Sequence, residues 1–117
     1  MNWLQLTSEE QLSTIDEQSG NHPILIFKHS TRCSISAAAL NRLERKWDDS
    51  KAGNLEIYFL DLIAQRNISN ELAHRYNVAH QSPQILIIVS GKCVYDNSHL
   101  GISFDEISGV VNELNPA

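Results

Sequence analysis

Three short apolar runs constrain this chain most. They are Pro23-Ile24-Leu25-Ile26-Phe27, Leu55-Glu56-Ile57-Tyr58-Phe59-Leu60-Asp61-Leu62 and Gln84-Ile85-Leu86-Ile87-Ile88-Val89. Each has the length and β-branched content of a strand buried on both faces. Between the first two, Ile35, Ala39, Leu43 and Trp47 recur at i, i+4 spacing. That predicts a helix reaching to about Asp49, with those four residues as its buried stripe. Between the second and third runs, a helix from about Ser69 to Asn77 places Leu72 and Tyr76 on one face, with Ile68 just before it and Ser69 or Asn67 as cap. Strands joined by a helix pair in parallel with a right-handed crossover. Helices must then cover both faces of the sheet.

The flanks complete the pattern. Trp3 to Leu6 reads as a short strand or extended lead-in. Thr7 with Glu10, or Ser8 with Gln11, fits a capping box for a helix to about Ser19, stopped by Gly20-Asn21. Leu12 and Ile15 are its core residues. Residues 50 to 54 read as loop. Ser90-Gly91-Lys92 is a hairpin turn, with Cys93-Val94-Tyr95 opening an antiparallel partner strand. A last helix from about Ser103, with Glu106 at the capping-box position, runs to Leu114 with Phe104, Ile107, Val110, Val111 and Leu114 as its apolar face. The order is βαβαβαββα, an α/β class. A chain of 117 residues fits a single domain, 1–117.

A net charge of -5 with no basic stripe argues against nucleic acid as a partner. No apolar stretch approaches the roughly 18 residues of a membrane span. Met1-Asn2-Trp3-Leu4 lacks a basic region followed by a long apolar one, so no signal peptide is expected. Two cysteines make neither a disulfide framework nor, alone, a zinc site. The expectation is a soluble cytoplasmic protein, in a compartment that keeps thiols reduced.

Cys33 carries the chemistry. It follows the first apolar run after a few small polar residues and precedes Ala37-Ala38-Ala39-Leu40, a strong helix-forming stretch. That predicts a strand, a tight turn and a thiol at the first turn of a helix. The unpaired N–H groups there favour a thiolate. Lys28, His29 and Arg32 would add positive charge, although His29 reads equally as the end of the strand.

The element order, the cysteine after the first long strand and Ser82-Pro83 before a later one resemble the thioredoxin fold. Glu71-Leu72-Ala73-His74-Arg75-Tyr76-Asn77-Val78, followed by Ser82-Pro83-Gln84-Ile85-Leu86, is similar to the thioredoxin helix that leads to the cis-proline. The resemblance implies a cis bond at Pro83 beside the active cysteine, with Ser82 offering backbone groups to an extended substrate. Thioredoxins carry Cys-x-x-Cys, whereas this chain has Cys33-Ser34-Ile35-Ser36. The stretch from His29 to Ala39 resembles the YtxJ-type proteins of the bacillithiol system, the monothiol bacilliredoxins. Those usually read Thr-Cys-Pro-Ile-Ser. Here Arg32 and Ser34 flank the cysteine, and Thr31 falls one position earlier.

The resemblance implies a monothiol thiol–disulfide oxidoreductase. Cys33 and Ser36 are its expected catalytic residues, the Ser36 hydroxyl donating a hydrogen bond to the Cys33 thiolate. Arg32, Ser34, Ser82 and Pro83 are the expected substrate groove. No tightly bound cofactor or metal is implied. The co-substrate would be bacillithiol or a similar low-molecular-weight thiol, and the partners S-thiolated client proteins. Pro83 is expected at the active-site end of its strand; eight residues on, at about 3.3 Å each, the chain has travelled roughly 25 Å, so the hairpin, with Cys93 just past it, belongs at the opposite end of the sheet. Bridged cysteines need Cα atoms within about 7 Å. Cys93 is therefore expected to be a small apolar strand residue, not a resolving thiol. The alternatives are an iron–sulfur scaffold and a non-catalytic adaptor using the groove around Pro83. The Cys-Gly-Phe-Ser type of scaffold has a glycine where Ser34 stands.

Overall fold

The computed structural model describes residues 1–114. Five strands form one sheet: β1 (Leu4–Gln5), β2 (Ile24–His29), β3 (Glu56–Asp61), β4 (Gln84–Val89) and β5 (Lys92–Ser98). Their spatial order is β1-β3-β2-β4-β5. β1 and β2 both run parallel to β3, while β4 is antiparallel to β2 and to β5. The helices are α1 (Glu10–Gln18), α2 (Ser34–Lys46), α3 (Asp49–Ala52), α4 (Arg66–Tyr76) and α5 (Phe104–Leu114), with a 3₁₀ turn at His99–Gly101.

The central position of β2 explains its composition. Neighbours on both edges pair its backbone, and helices cover both of its faces, so all six residues are buried. Alternate residues divide the core in two. Ile24 and Ile26 join Leu12 and Ile15 of α1 and Ile68 and Leu72 of α4. Leu25 and Phe27 join Ala39 and Leu43 of α2, Ala52 of α3, and Phe104 and Ile107 of α5. This period-2 alternation sets which side chains reach which side of the sheet.

Local details differ from the sequence reading in instructive ways. At α1 the Ser8/Gln11 register is the one used, with Gln11 Oε1 accepting from the N–H groups of Thr7 (2.7 Å) and Ser8 (3.0 Å). α2 stops at Lys46, and Asp48 caps the extra helix α3 by accepting from Ser50 N, where a plain loop was expected. α4 begins at Arg66, three residues before the expected start, so Asn67 and Ser69 are not caps and Ser69 is buried inside the helix. Asn77 ends it in the left-handed region, where Asn is tolerated. Ser90 and Gly91 both have positive φ, as a type I′ hairpin turn requires. A register shift between Ile87 and Ile88 leaves Val94 as an extra, exposed residue on β5. On α5, Phe104, Ile107 and Val111 are buried, while Leu114 is exposed.

Ile35 departs most from its expected place. It was read as part of the buried stripe of α2, but it is 56% exposed, and Ser36 takes the buried position. The buried stripe runs Ser36, Ala39, Leu43, at i, i+3, i+7 spacing, and so passes one residue along from Ile35.

Candidate functional site

β2 ends at His29, and the chain turns through residues 30 to 33, where Cys33 N donates to Ser30 O (3.2 Å). Cys33 becomes the N-cap of α2, with φ -118° and ψ 118°, and its carbonyl accepts from Ala37 N (3.1 Å). Its side chain makes no capping bond. A thiolate at this half-buried position therefore has the unpaired N–H groups of the first turn to accept from, together with the positive end of the helix dipole. Arg32 and Ser34, on either side, are exposed.

Ser36, which closes the Cys33-Ser34-Ile35-Ser36 motif, is fully buried. Its Oγ accepts from Ser30 N (3.1 Å) and lies 2.7 Å from His29 Nδ1. The sequence reading directed this hydroxyl to Cys33, whereas its hydrogen-bond partners are Ser30 and His29. His29 shares the Leu25/Phe27 side of β2, and its ring packs 5.3 Å from Phe59 and 6.2 Å from Phe27. Burial pushes its pKa below the ordinary 6.5, with Asp61 opposing. Since Oγ already accepts from Ser30, the hydroxyl hydrogen is the natural donor to the Nδ1 of a neutral ring.

The next strand brings the second half of the site. The Ser82–Pro83 bond is cis. Gln84, next in sequence, faces Lys28 across the β2–β4 pair, so Pro83 stands level with the turn that carries Cys33. Gln84 organises the approach to that bond. Its Nε2 donates to Ala79 O (3.1 Å), while its Oε1 accepts from Gln81 N (3.3 Å) and Lys28 Nζ (3.1 Å). Lys28 Nζ also lies 2.8 Å from His80 Nδ1. Lys28 thus projects to the side of the sheet opposite α2 and pins the loop before Pro83, instead of adding charge around Cys33. It is 1% exposed, and burial lowers its pKa to about 8. Burial, then Lys28 and Arg66, lower that of His80.

Ser82 is half-buried, and its Oγ is buried without a hydrogen-bond partner. Pro83 O accepts from His99 N (3.1 Å), which ties the 3₁₀ turn to the same end of the sheet. Leu100 on that turn is 87% exposed. Exposed Leu100 and Ile35 therefore both border the Cys33 end. His99 itself is exposed, with φ 54°.

Cys93 pairs with Ile88, which faces Ile24 at the opposite end of β2 from His29. Five residues at about 3.3 Å separate the two levels by about 16 Å, well beyond disulfide reach. The Cys93 thiol donates to Tyr95 O (3.3 Å), and burial followed by Asp96 pushes its pKa up. Both cysteines are free. Trp47 is half-buried against Phe104, with 4.7 Å between ring centroids. Among the described residues, no three His, Cys, Asp or Glu side chains converge to hold a metal ion.

The sequence suggests Lys28 and His29 only as charge near Cys33, or His29 as a strand end, and gives no role to Gln84 or His80. A signal was available. A central strand continuing two residues past Phe27 must bury whatever follows, and buried polar side chains need partners.

A family model described as monothiol bacilliredoxin BrxC matches residues 4–107, a span that includes every site residue above. Among solved structures, a protein with a thioredoxin fold is similar over 91% of this chain and 90% of its own, with 27% identity and a TM-score of 0.77. Thioredoxin f2 of Chlamydomonas reinhardtii is similar over 99% of both chains, with 13% identity and a TM-score of 0.71. Malassezia sympodialis thioredoxin is similar over 96% of this chain and 90% of its own, with 14% identity and a TM-score of 0.73.

Proposed function

This chain belongs to the monothiol bacilliredoxin family, and we propose that it removes bacillithiol, or a similar low-molecular-weight thiol, from mixed disulfides on proteins through Cys33. A thiol redox function on a thioredoxin-like fold follows from the family and the fold together. The same proposal takes the chain as YtxJ-type, residues 1–117 as one working domain, and a reducing cytoplasm as its place of action.

The observation that carries the reading is a thiol working alone. Cys33 caps α2, a serine stands three residues on, and Cys93 sits at the other end of the sheet. The chemistry balances without a second protein thiol. The Cys33 thiolate attacks the small-thiol sulfur of a protein–S–S–R disulfide. The Cys33–S–S–R bond forms, and the client leaves as its thiolate. A second R–S⁻ then attacks the R sulfur, giving R–S–S–R and restoring the Cys33 thiolate. Arg32, Ser34, Ser82 and Pro83 are assigned to the groove that receives the disulfide, and S-thiolated proteins are the partners.

Intact-mass spectrometry after exposure to a bacillithiolated protein tests this. Wild type and Cys93→Ser should each gain one bacillithiol as the client loses it, and Cys33→Ser should gain none. An unmodified wild type, a modified Cys33→Ser or an intramolecular Cys33–Cys93 disulfide would overturn the proposal. A visible chromophore after iron–sulfur reconstitution, with no thiol transfer, would replace it with the scaffold reading.

A further inference from the structure

We propose that His29 is a positioning residue for Cys33 that acts through Ser36, its ring tautomer deciding whether the Ser36 hydroxyl points at the imidazole or at the sulfur. Ser36 Oγ is held at a buried junction. One contact has a fixed direction, because Ser30 N–H can only donate. The other, 2.7 Å to His29 Nδ1, can run either way. With the ring proton on Nε2, Nδ1 is an acceptor and takes the hydroxyl hydrogen. With the ring proton on Nδ1, the ring donates to Oγ, which then accepts twice, and the hydroxyl hydrogen must turn elsewhere.

The residue three before Ser36 is Cys33. Side chains three apart on a helix are neighbours, and the third helical residue characteristically reaches back to the N-cap. While Cys33 is a thiol or a mixed disulfide, its sulfur is a weak acceptor and the hydroxyl stays on Nδ1. When Cys33 is a thiolate, the sulfur is the stronger acceptor. The hydroxyl turns to it, and the ring gives up its Nε2 proton to water and takes one from water on Nδ1 to support the oxygen, with no net change in its protonation. The chain then reads Nδ1–H to Oγ–H to S⁻. Serine at the position of a second cysteine thus becomes a reorientable donor that responds to the state of the reacting thiol.

Other groups facing the ring fit this arrangement. Phe27 and Phe59 enclose it, and Asp61, its register partner on β3, is the acid that faces it. Lys28 lies on the other side of the sheet, bound to His80 and Gln84. A neutral ring has two tautomers of similar energy, so a change of acceptor at Cys33 can select between them without a net change of charge.

The inference rests on Cys33 being the reacting thiol, but its test needs no thiol transfer. The ¹⁵N shifts of the His29 ring distinguish the tautomers directly. They are followed in Cys93→Ser protein while Cys33 is titrated from thiol to thiolate, with Cys33→Ser and Ser36→Ala as comparisons. The expected result is a change from Nε2–H to Nδ1–H that tracks formation of the thiolate. It should be absent in Cys33→Ser, which holds the first tautomer throughout, and lost in Ser36→Ala. A ring that keeps either tautomer across the Cys33 titration overturns the proposal. So does a change that survives in Ser36→Ala, because the ring would then sense the sulfur directly.

Discussion

Lys28→Met probes the pin beneath the cis-proline loop and gives the most quantitative test of the site. Lys28 is 1% exposed, and its pKa falls from 10.5 to about 8 in the fold. At about 1.4 kcal/mol per pKa unit, keeping this ammonium buried at pH 7 costs the fold about 3 kcal/mol. The sign follows from proton counting. Between pH 8 and pH 10.5 the unfolded chain still holds a proton that the folded chain has released, so this residue's contribution to stability rises with pH. Methionine fills similar space and carries no such penalty. It also forfeits the bonds to His80 and Gln84, a loss on the order of 1–3 kcal/mol. At pH 7 these two effects oppose, so the decisive quantity is the change in the stability gap. Urea unfolding of both proteins at pH 7, 8.5 and 10 measures it. The groups raised by burial, Tyr58, Tyr76 and Cys93, are common to both and cancel. Wild type should gain on Lys28→Met by about 2–3 kcal/mol between pH 7 and pH 10. A gap constant to within about 0.5 kcal/mol would refute the reasoning, since that is the ordinary scatter of a neutral surface change.

Three further outcomes follow. Alkylation with iodoacetamide at neutral pH, read by peptide mass spectrometry, should modify Cys33 at least about tenfold faster than Cys93, whose half-buried thiol is raised in pKa; equal rates would contradict that difference in thiolate character. Ser36→Ala should lower the unfolding free energy by about 1–3 kcal/mol, because Ser30 N–H and His29 Nδ1 are left buried without their partner; a fully neutral substitution would show that the junction is not formed. Ile35→Asp should stay within about 0.5 kcal/mol of wild type in stability, the residue being exposed, yet weaken turnover of S-thiolated protein more than of a small mixed disulfide. Equal effects on both substrates would remove Ile35 from the client-facing surface.

The buried side chains differ in how easily they could be foreseen. Ile24 to Phe27, Ile57 and Ile85 to Ile88 announced themselves by unbroken hydrophobicity, and they occupy the middle of the sheet. Ile35 carried the same apolar signal and was placed wrongly. Several faces of a helix carry apolar residues, and the buried one here runs through Ser36, Ala39 and Leu43, with Ser36 held by Ser30 and His29. Asn67 and Ser69 looked like caps because their residue types suit caps, yet α4 already begins at Arg66 and packing buries Ser69. Residue type alone cannot choose between a cap and a buried polar position.

The sequence by itself determined the element order, the α/β class, the isolation of Cys33 within its motif and the remoteness of Cys93. These follow from hydrophobic period and chain length, which are local quantities. Only the tertiary structure decided what surrounds the thiol. Lys28 and His29 are adjacent in sequence, but the pleat of β2 sends them to opposite sides of the sheet. One meets Gln84 of β4 and His80 of the loop before it, and the other meets Ser36 from the next helix. Their partners are set by which segments the fold brings alongside β2, and neither residue's own neighbourhood in the sequence contains that information.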